Sequence, residues 1–467
     1  MRLLRTGLLL AVLSVAPFLG GAALQAKPVE LDATALRQLA NLAVQQGFAD
    51  QALRYTDALL FRDNFDTTAL IIRAQALRAL GRAPEAVQVA RTAWRIAKAR
   101  GAKAEPAQFG AAMAMAQAQS TLGRRTVAQL WLRRAAQHAP NPEAYAIARR
   151  DFGYVQSRNP WRLQFDFSGS PSSNVNNGSR QSRLSLIGVP VWLEIPAESQ
   201  ALSGLQYGVA GSATLRFSPT GPNRQTEAKL GLAIQNVALS AASQAAAPLA
   251  NSGDYAFGLI EAGLSHHRSL GAEGRTQLAL TATLGHNWYG GNDLSDYVRL
   301  SMGLDQRLND TAALSFGVTV DHNSRLDSPK QSSDRLGATI GYSLMMGTGH
   351  KDRLSLEVEA AGTTSESAEV RSQSLGLNIG WKKAEAVAGI ALSGGLSMES
   401  QIFADSRYVL GGRQDLKVAA NLTLTFQNVE YMGFSPVLQV QASRNQSNSA
   451  LHDSQNLGLT LGISSSF

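Results

Sequence analysis

The sequence has no cysteine, which excludes disulfides, thiolate metal sites and cysteine nucleophiles. It also lacks a nucleophile elbow, a zinc-binding helix and a Ser-His-Asp order, and its histidines are not spaced as metal ligands. Apolar residues make up 44% of the chain, which is normal for a folded protein. We therefore predict a folded protein that is not an enzyme, with no catalytic, cofactor-binding or metal-binding residues.

The amino terminus has the pattern of a secretory signal peptide. Arg2 and Arg5 precede an apolar run from about Leu8 to Leu19, and small residues follow up to Ala26. A transmembrane anchor would need about 20 apolar residues, which is longer than this run. We therefore predict that residues 1–26 are a cleaved signal and that the protein is exported.

Charge is distributed unevenly along the chain. Residues 27–160 carry 19 basic and 10 acidic side chains, a net charge of +9, whereas residues 161–467 carry 22 and 25, a net charge of −3. A basic region can face anionic lipid headgroups or an acidic client protein. Nucleic acid is not an expected partner of an exported protein.

Residues 27–159 have helical spacing and a repeat whose first two copies are 34 residues apart, with a third copy displaced by an insertion around residues 97–106. Each copy has a glycine followed five residues later by an alanine, at Gly47 and Ala52, Gly81 and Ala86, and Gly123 and Ala128. Such small residues stand at the turn and the helix contact of a tetratricopeptide repeat. We predict a tetratricopeptide-like helical domain. Trp94 and Trp131 are expected in its core, with a client-binding groove as the alternative role.

The period changes at Asn159-Pro160, and stretches of about ten alternating residues follow. A soluble β-sandwich also alternates, but the number and length of these stretches favour a barrel, as do long polar connectors alternating with short turns. We predict that residues 160–467 form a transmembrane antiparallel β-barrel of about 14 strands. The strands are expected near Trp161, Leu205, Glu227, Tyr255, Thr276, Tyr297, Ala312, Arg335, Arg353, Val370, Val387, Leu410, Val437 and Asn456.

The last strand is apolar at every second position and ends on an aromatic residue. Its apolar residues are Leu457, Leu459, Leu461, Ile463 and Phe467. Such an ending is the signal that the barrel-assembly machinery reads, and we predict that these side chains face outer-membrane lipid. The machinery and the lipid are therefore expected partners, in the outer membrane of a Gram-negative bacterium.

The final hairpin resembles that of the surface lipoprotein assembly modifier family, in which G-x-x-P-x-L leads into a strand and a Ser-Asn loop. The matching positions are Gly433, Pro436, Leu438, Ser447, Asn448 and Asn456. The resemblance implies a periplasmic helical domain that docks a lipoprotein or another secreted client, and a barrel that provides its exit to the cell surface. A polysaccharide exporter, which usually has more repeats, and a diffusive porin, which needs none, remain alternatives.

We expect deletion of Phe467 to lower the amount of assembled barrel in outer-membrane fractions, because the deletion removes the terminal residue of the assembly signal. Heat-modifiable mobility on gels measures the assembled form. Ser466→Ala serves as the control and should leave it unchanged. Equal barrel levels in the deletion variant and the parent would show that Phe467 is not part of the signal.

Overall fold

The computed structural model describes residues 31–185, 192–217, 221, 223–271, 273–347, 349 and 351–465, without the side chains of residues 102 and 103. The predicted signal peptide and Phe467 lie outside these residues. The described chain begins with helices α1 (Ala33–Gln45), α2 (Ala49–Arg62), α3 (Thr67–Ala79), α4 (Ala83–Ala99), α5 (Glu105–Thr121), α6 (Arg125–Gln137) and α7 (Pro142–Arg158). Strands follow from Trp161 onward.

The helices form antiparallel pairs whose turns contain the repeat glycines. Gly47, Gly81 and Gly123 follow α1, α3 and α5 with φ of +84°, +77° and +74°, a conformation that glycine adopts without strain. The alanines five residues later, on α2, α4 and α6, are fully buried. Small side chains at these points let the paired helices approach closely. The tetratricopeptide-like fold predicted from the repeat is therefore confirmed.

Helix starts follow ordinary capping chemistry. The side chains of Asp32, Asp66 and Asn141 accept hydrogen bonds from the backbone N–H groups three residues later, at the starts of α1, α3 and α7. Asp66 also accepts from Nε of Arg37 on α1 at 2.8 Å. This ion pair joins the first two repeats.

Fourteen strands of the described chain form a closed antiparallel barrel. Its strands are β1 (Trp161–Ser172), β4 (Gly204–Arg216), β5 (Arg224–Leu239), β6 (Phe257–Leu270), β7 (Thr276–Tyr289), β8 (Asn292–Arg307), β9 (Ala312–Arg325), β10 (Ser333–Met346), β11 (Asp352–Ser365), β12 (Ser372–Lys382), β13 (Ile390–Phe403), β14 (Arg413–Phe426), β15 (Phe434–Ser447) and β16 (Ser454–Ser465). Neighbours in sequence pair with each other, and β1 pairs with both β4 and β16. The predicted fold class and strand number are confirmed.

Alternation along each strand separates an outward apolar face from an inward polar one. Large exposed apolar side chains lie opposite each other across neighbouring strands, as in Val209 opposite Ile234 and Leu300 opposite Val320. The intervening residues point into the barrel and are mostly Ser, Thr, Asn, Gln, Gly and charged side chains. An outward apolar belt around a polar interior is the arrangement of an outer-membrane barrel.

The two ends of the barrel differ. At one end, which we call the short-turn end, connections such as residues 271–275 and 308–311 are no longer than seven residues. At the other, the long-loop end, lie residues 173–185 and 192–203, in which β2 (Arg183–Ser185) pairs with β3 (Trp192–Glu194). Residues 240–256, with helix α8 (Ala241–Ala246), lie at the same end. Sequence alternation did not predict these loop elements, because they are too short to show a period. No helix in the described ranges is long and apolar enough to cross a bilayer.

We expect Leu59→Ala to lower the free energy of unfolding of the helical region by about 2–5 kcal/mol, because Leu59 is 1% exposed and its removal leaves a cavity. Phe61→Ala, two residues later on α2, should change it by less than about 0.5 kcal/mol, since Phe61 is 94% exposed. Denaturant unfolding followed by circular dichroism measures both. Equal destabilisation by the two substitutions would contradict the packing described here.

Candidate functional site

The described residues include no group of three or more His, Cys, Asp or Glu side chains arranged to hold a metal ion. Four surfaces of the described chain are candidates for a functional role. They are the contact between helices and barrel, the inner wall of the barrel, the long-loop end and the exposed face of the helices.

The helical region contacts the barrel at the short-turn end, where the β14–β15 turn lies against α6 and α7. Nη1 of Arg133 donates to the carbonyl oxygens of Met432 and Gly433, at 3.1 and 3.0 Å. Nη2 donates to the hydroxyl of Ser465 on β16 at 2.7 Å. The guanidinium also lies over the ring of Phe434, 4.5 Å from its centroid. Arg133 therefore joins α6 to the last two strands of the barrel.

Two more side chains extend this contact. The Tyr145 hydroxyl donates to the Glu430 carboxylate, 2.9 Å from the nearer oxygen, and the side-chain oxygen of Gln137 accepts from the backbone N–H of Met432 at 2.7 Å. Burial and the Glu430 charge raise the pKa of Tyr145 above its ordinary value, so the phenol keeps its proton and donates. Hydrogen bonds to charged groups are the stronger kind, so this contact fixes a definite orientation.

The linker between the two regions is fixed as well. Asn159 is buried, and its Nδ2 donates to the Thr126 hydroxyl at 3.0 Å while its Oδ1 accepts from the backbone N–H of Trp161 at 3.2 Å. Nη2 of Arg216 on β4 donates to the Asn159 carbonyl oxygen at 2.6 Å. The helices are thus held at two places on the rim of the barrel. The change of period predicted a boundary here but not this contact surface.

The inner wall has a row of charged side chains that crosses β5 to β14. Its members are Lys229, Glu261, Arg299, Asp321, Arg335, Glu359, Glu399 and Lys417. Lys229 pairs with Glu261 at 3.0 Å, Arg299 with Asp321, and Arg335 with Glu359. Glu399 lies opposite Lys417 in the register. The row contains four charges of each sign, which cancel in the net charge. The small net charge of the barrel therefore does not reveal this network of ion pairs.

Tyr297 connects this row across a glycine. Its hydroxyl donates to Oε2 of Glu261 at 3.1 Å, crossing Gly285 on the intervening strand. A Cβ at Gly285 would lie 2.5 Å from the Tyr297 ring, so any larger residue would displace it. Glu357 and Glu359 lie two residues apart on the same inward face of β11, but they contact different partners. Glu359 pairs with Arg335, and Glu357 accepts from Asn378 at 3.5 Å.

On the opposite wall, in the described strands, the inward residues towards the long-loop end of β16 and β1 carry no charge, whereas Arg162 and Asp166 lie nearer the short-turn end of β1. The uncharged inward residues are Asn456, Gly458, Thr460 and Gly462 on β16 and Ser168, Ser170 and Ser172 on β1. Towards the long-loop end, the interior therefore has an ion-paired side and a side of small neutral polar groups.

A buried arginine joins three connections at the long-loop end. Arg413 is 5% exposed, and its Nη1 donates to the Glu369 carboxylate at 3.1 Å and to Nε2 of His452 at 2.7 Å. Its guanidinium lies 3.5 Å from the centroid of the Phe403 ring. Glu369 belongs to the β11–β12 connection and His452 to the β15–β16 connection. Arg413 therefore holds these loops to the start of β14.

The residues of the family-like hairpin lie at both ends of β15 and β16. Gly433 is in the turn that Arg133 contacts, Pro436 and Leu438 lie within β15, and Ser447 ends it. Asn448 accepts from the backbone N–H of Gln414 at 2.9 Å and donates to the carbonyl of Gly412 at 3.1 Å. Asn456 accepts from the Ser172 hydroxyl at 2.8 Å. The set forms two separate contacts, one at each end of the barrel.

The described residues of the predicted assembly signal lie on the outward face. Leu457, Leu459, Leu461 and Ile463 are exposed there. Their recognition by assembly machinery stays a prediction, as does the role of Phe467.

Trp94 and Trp131 lie side by side in the helical region. Their ring centroids are 5.3 Å apart with planes at 85°, and both rings pack against the buried cluster around Leu132 and Phe152. A client-binding role for this pair stays a prediction.

Exposed aromatic side chains lie elsewhere on the helices, at the repeat turns. Phe48, Phe61 and Phe65 are all more than half exposed, and Leu39 and Leu42 on α1 are also exposed. Sequence periodicity assigned no role to these residues. These five exposed apolar side chains belong to α1, α2 and their turns, whereas α6 and α7 make the described contacts with the β14–β15 turn.

The architecture is that of an outer-membrane β-barrel with an attached tetratricopeptide-like region. Residues 261–467 match the model of a family described as surface lipoprotein assembly modifier. The match covers most of β6 and all of β7 to β16, and it confirms the predicted family resemblance over these residues. None of the curated proteins compared with the chain matches it.

Solved structures with similar parts share little sequence with this chain. The first tetratricopeptide domain of human RPAP3 is 17% identical and aligns over 27% of this chain and 94% of its own, with a TM-score of 0.23. Acinetobacter baumannii OccAB3 and the outer membrane channel DcaP of the same species are each 8% identical. They align over 65% of this chain and 98% and 96% of their own, with TM-scores of 0.34 and 0.37. At these values the likenesses carry no functional argument.

We expect acid to loosen the connections held by Arg413. Burial and the Arg413 charge lower the pKa of His452 below its ordinary value of 6.5, although Asp415 and Glu369 oppose this. The ordered state thus binds fewer protons than the loosened one, so its stability is complete above about pH 6.5 and falls as the pH drops through the lowered pKa. Protease cleavage of these loops in outer-membrane vesicles should rise at pH 5.

His452→Gln is the matched control, because its amide oxygen can still accept from Arg413 but does not titrate. Its cleavage should be the same at pH 5 and pH 7.5. Equal cleavage of the parent protein at both pH values would show that protonation of His452 does not loosen the connections held by Arg413.

Proposed function

We propose that this protein helps lipoproteins cross the outer membrane to the cell surface, with the helical region as docking surface and the barrel as exit. The observation that carries the proposal is the Arg133 contact, which fixes the helices at one mouth of the barrel. A protein bound to the helices is thereby held beside that mouth. The family match over residues 261–467 supports lipoproteins as the class of client.

Loop lengths support a periplasmic position for the helices. Outer-membrane barrels have short periplasmic turns and longer extracellular loops. The helical region contacts the short-turn end through the β14–β15 turn. We therefore propose that the helices lie in the periplasm and that the loops joined by Arg413 face the medium.

The exposed apolar surface of α1 and α2 supports a docking role. Phe61 and Phe65 lie far along the helical region from Arg133, so a client bound there would span the distance to the barrel mouth. The net charge of +9 on residues 27–160 would favour an acidic client. Assembly by the barrel machinery and contact with lipid belong to the same proposal, and no chemical step is part of it.

We expect deletion of residues 27–159, with the leader retained, to leave the barrel assembled but to abolish most client display. Lipoproteins labelled in cells with an alkynyl fatty acid and released by protease shaving measure display. Arg133→Ala should lower it by about tenfold, the equivalent of roughly 1.4 kcal/mol of lost positioning energy. Arg150→Ala on α7 is the control, because that side chain is 76% exposed, and it should change display little.

Normal display in the deletion variant would show that the helices are dispensable. Loss of small-solute uptake without any change in surface proteins would favour the porin alternative. Loss of a surface polysaccharide would favour the exporter. Heat-modifiable mobility, measured in the same samples, separates each outcome from failed assembly.

A further inference from the structure

The closing seam between β1 and β16 is the least regular part of the barrel. Among the described residues, these strands are in register at three positions, all between Ser168 and Ser172 on β1. Every other pair of neighbouring barrel strands is in register at ten or more. Unpaired backbone N–H and C=O groups are costly in lipid, so a ladder with few paired positions weakens the barrel at this seam.

Pro171 explains part of the irregularity. Alternate backbone amides of a strand point to alternate neighbours. The N–H of Ser173 donates to the Leu457 carbonyl of β16 at 3.0 Å, so the amide position of Pro171, two residues earlier, also faces β16. Proline has no N–H and cannot contribute that ladder bond.

Side-chain hydroxyls hold the inner face of the seam. The Thr460 hydroxyl donates to the Ser170 hydroxyl at 3.1 Å, and the Ser172 hydroxyl donates to Oδ1 of Asn456 at 2.8 Å. Water in the barrel can replace such neutral bonds at small cost. The seam is therefore easier to separate than the continuous ladders elsewhere in the barrel.

On the outer face, β1 forms a trough beside this seam. The outward side chains of β1 are bulky up to Phe167 and then small at Gly169 and Pro171. A cavity lies beside Pro171, between Leu205 on β4 and Leu457 and Leu459 on β16. Gly169, the next outward residue of β1, adjoins this cavity, and we call the two together the trough. The cavity has a volume of about 710 Å³. An added side chain at Gly169 would meet no atom within 4 Å, so the space is open.

A second outward cavity provides a comparison. It has a volume of about 540 Å³ and lies across β6 to β9, between residues such as Leu264, Leu280 and Val320. The strands that form it are in register along most of their length. Bilayer lipid can occupy either cavity, but only the trough adjoins a strand boundary that can separate.

We propose that the trough along β1 binds an acyl chain of the lipid anchor of the translocated lipoprotein. The proposal rests on the function proposed above and adds the place where the anchor meets the barrel. An apolar channel one strand wide fits a single hydrocarbon chain lying along β1. Its position beside the seam lets that chain reach the trough from the neutral side of the barrel interior, whereas the second cavity has no such access.

Photocrosslinking of the purified mature protein in nanodiscs tests this. The anchor probe is a tripalmitoyl-cysteinyl lipopeptide with a diazirine in one palmitoyl chain, and the bilayer probe is phosphatidylethanolamine with the same group. The lipopeptide should label peptides containing Gly169–Ser173 and Leu457–Leu459 above all others. Gly169→Leu, which places a side chain in the open part of the trough next to the cavity, should lower this labelling by about fivefold.

Gly362→Leu on β11 is the matched control, because Gly362 also lies on the outward face and has the same open space around its Cα. It should leave lipopeptide labelling unchanged. The bilayer probe should label the trough and the second cavity alike. Equal labelling of the trough by both probes, or lipopeptide labelling centred elsewhere, would overturn the proposal. The crosslink map of the parent protein decides this even if Gly169→Leu does not assemble.

The same two variants in cells separate this proposal from the proposed function. Surface display of fatty-acid-labelled proteins should fall in Gly169→Leu and not in Gly362→Leu, at equal levels of assembled barrel. If the helical deletion lowers display but Gly169→Leu does not, the trough proposal fails and the translocation role stands. If the lipopeptide labels the trough but neither the helical deletion nor Gly169→Leu lowers display, the trough binds lipid anchors and the translocation role fails.

Discussion

Closure of the barrel is the constraint on which the rest of the structure depends. Inside a bilayer each backbone N–H and C=O needs a partner within the protein, and a sheet meets this need only by joining its first strand to its last. That requirement applies to every barrel strand, and the successive side chains of each strand point in turn to the lipid and to the interior. The requirement also makes the sparse β1–β16 ladder, with Pro171 in it, the weakest point of an otherwise continuous hydrogen-bonded cylinder.

The contact at the short-turn end holds the helical region in a fixed position relative to the barrel. A tetratricopeptide-like stack has no chemistry of its own, and a barrel by itself does not select a protein client. Arg133, Tyr145 and Gln137 join them through hydrogen bonds to the β14–β15 turn, and Arg216 holds the linker at Asn159. Because several of these bonds involve charged groups, the helices keep a defined position at the barrel mouth.

The interior of the barrel shows why net charge is a poor guide to a lumen. The row from Lys229 to Lys417 balances four positive with four negative side chains, and the shortest contacts in it are ion pairs between neighbouring strands. Glycines such as Gly285 leave room for the larger members of this network. Facing it, towards the long-loop end, β16 and β1 present neutral serine, threonine, asparagine and glycine residues.

The sequence by itself determined the class of each region. Local backbone geometry produces both the 34-residue spacing of Gly47 and Gly81 and the two-residue period after Trp161. Both patterns can therefore be recognised in the sequence without a structure. The number of strands followed from the same period. The sequence did not predict the loop elements β2, β3 and α8, because they are too short to show a hydrophobic period. Only the tertiary structure decided which distant groups meet. Arg133 reaches the backbone carbonyl of Met432, Arg413 reaches His452, and Tyr297 reaches Glu261. These contacts depend on strand register, barrel closure and the docking of one region on the other, none of which a linear pattern encodes.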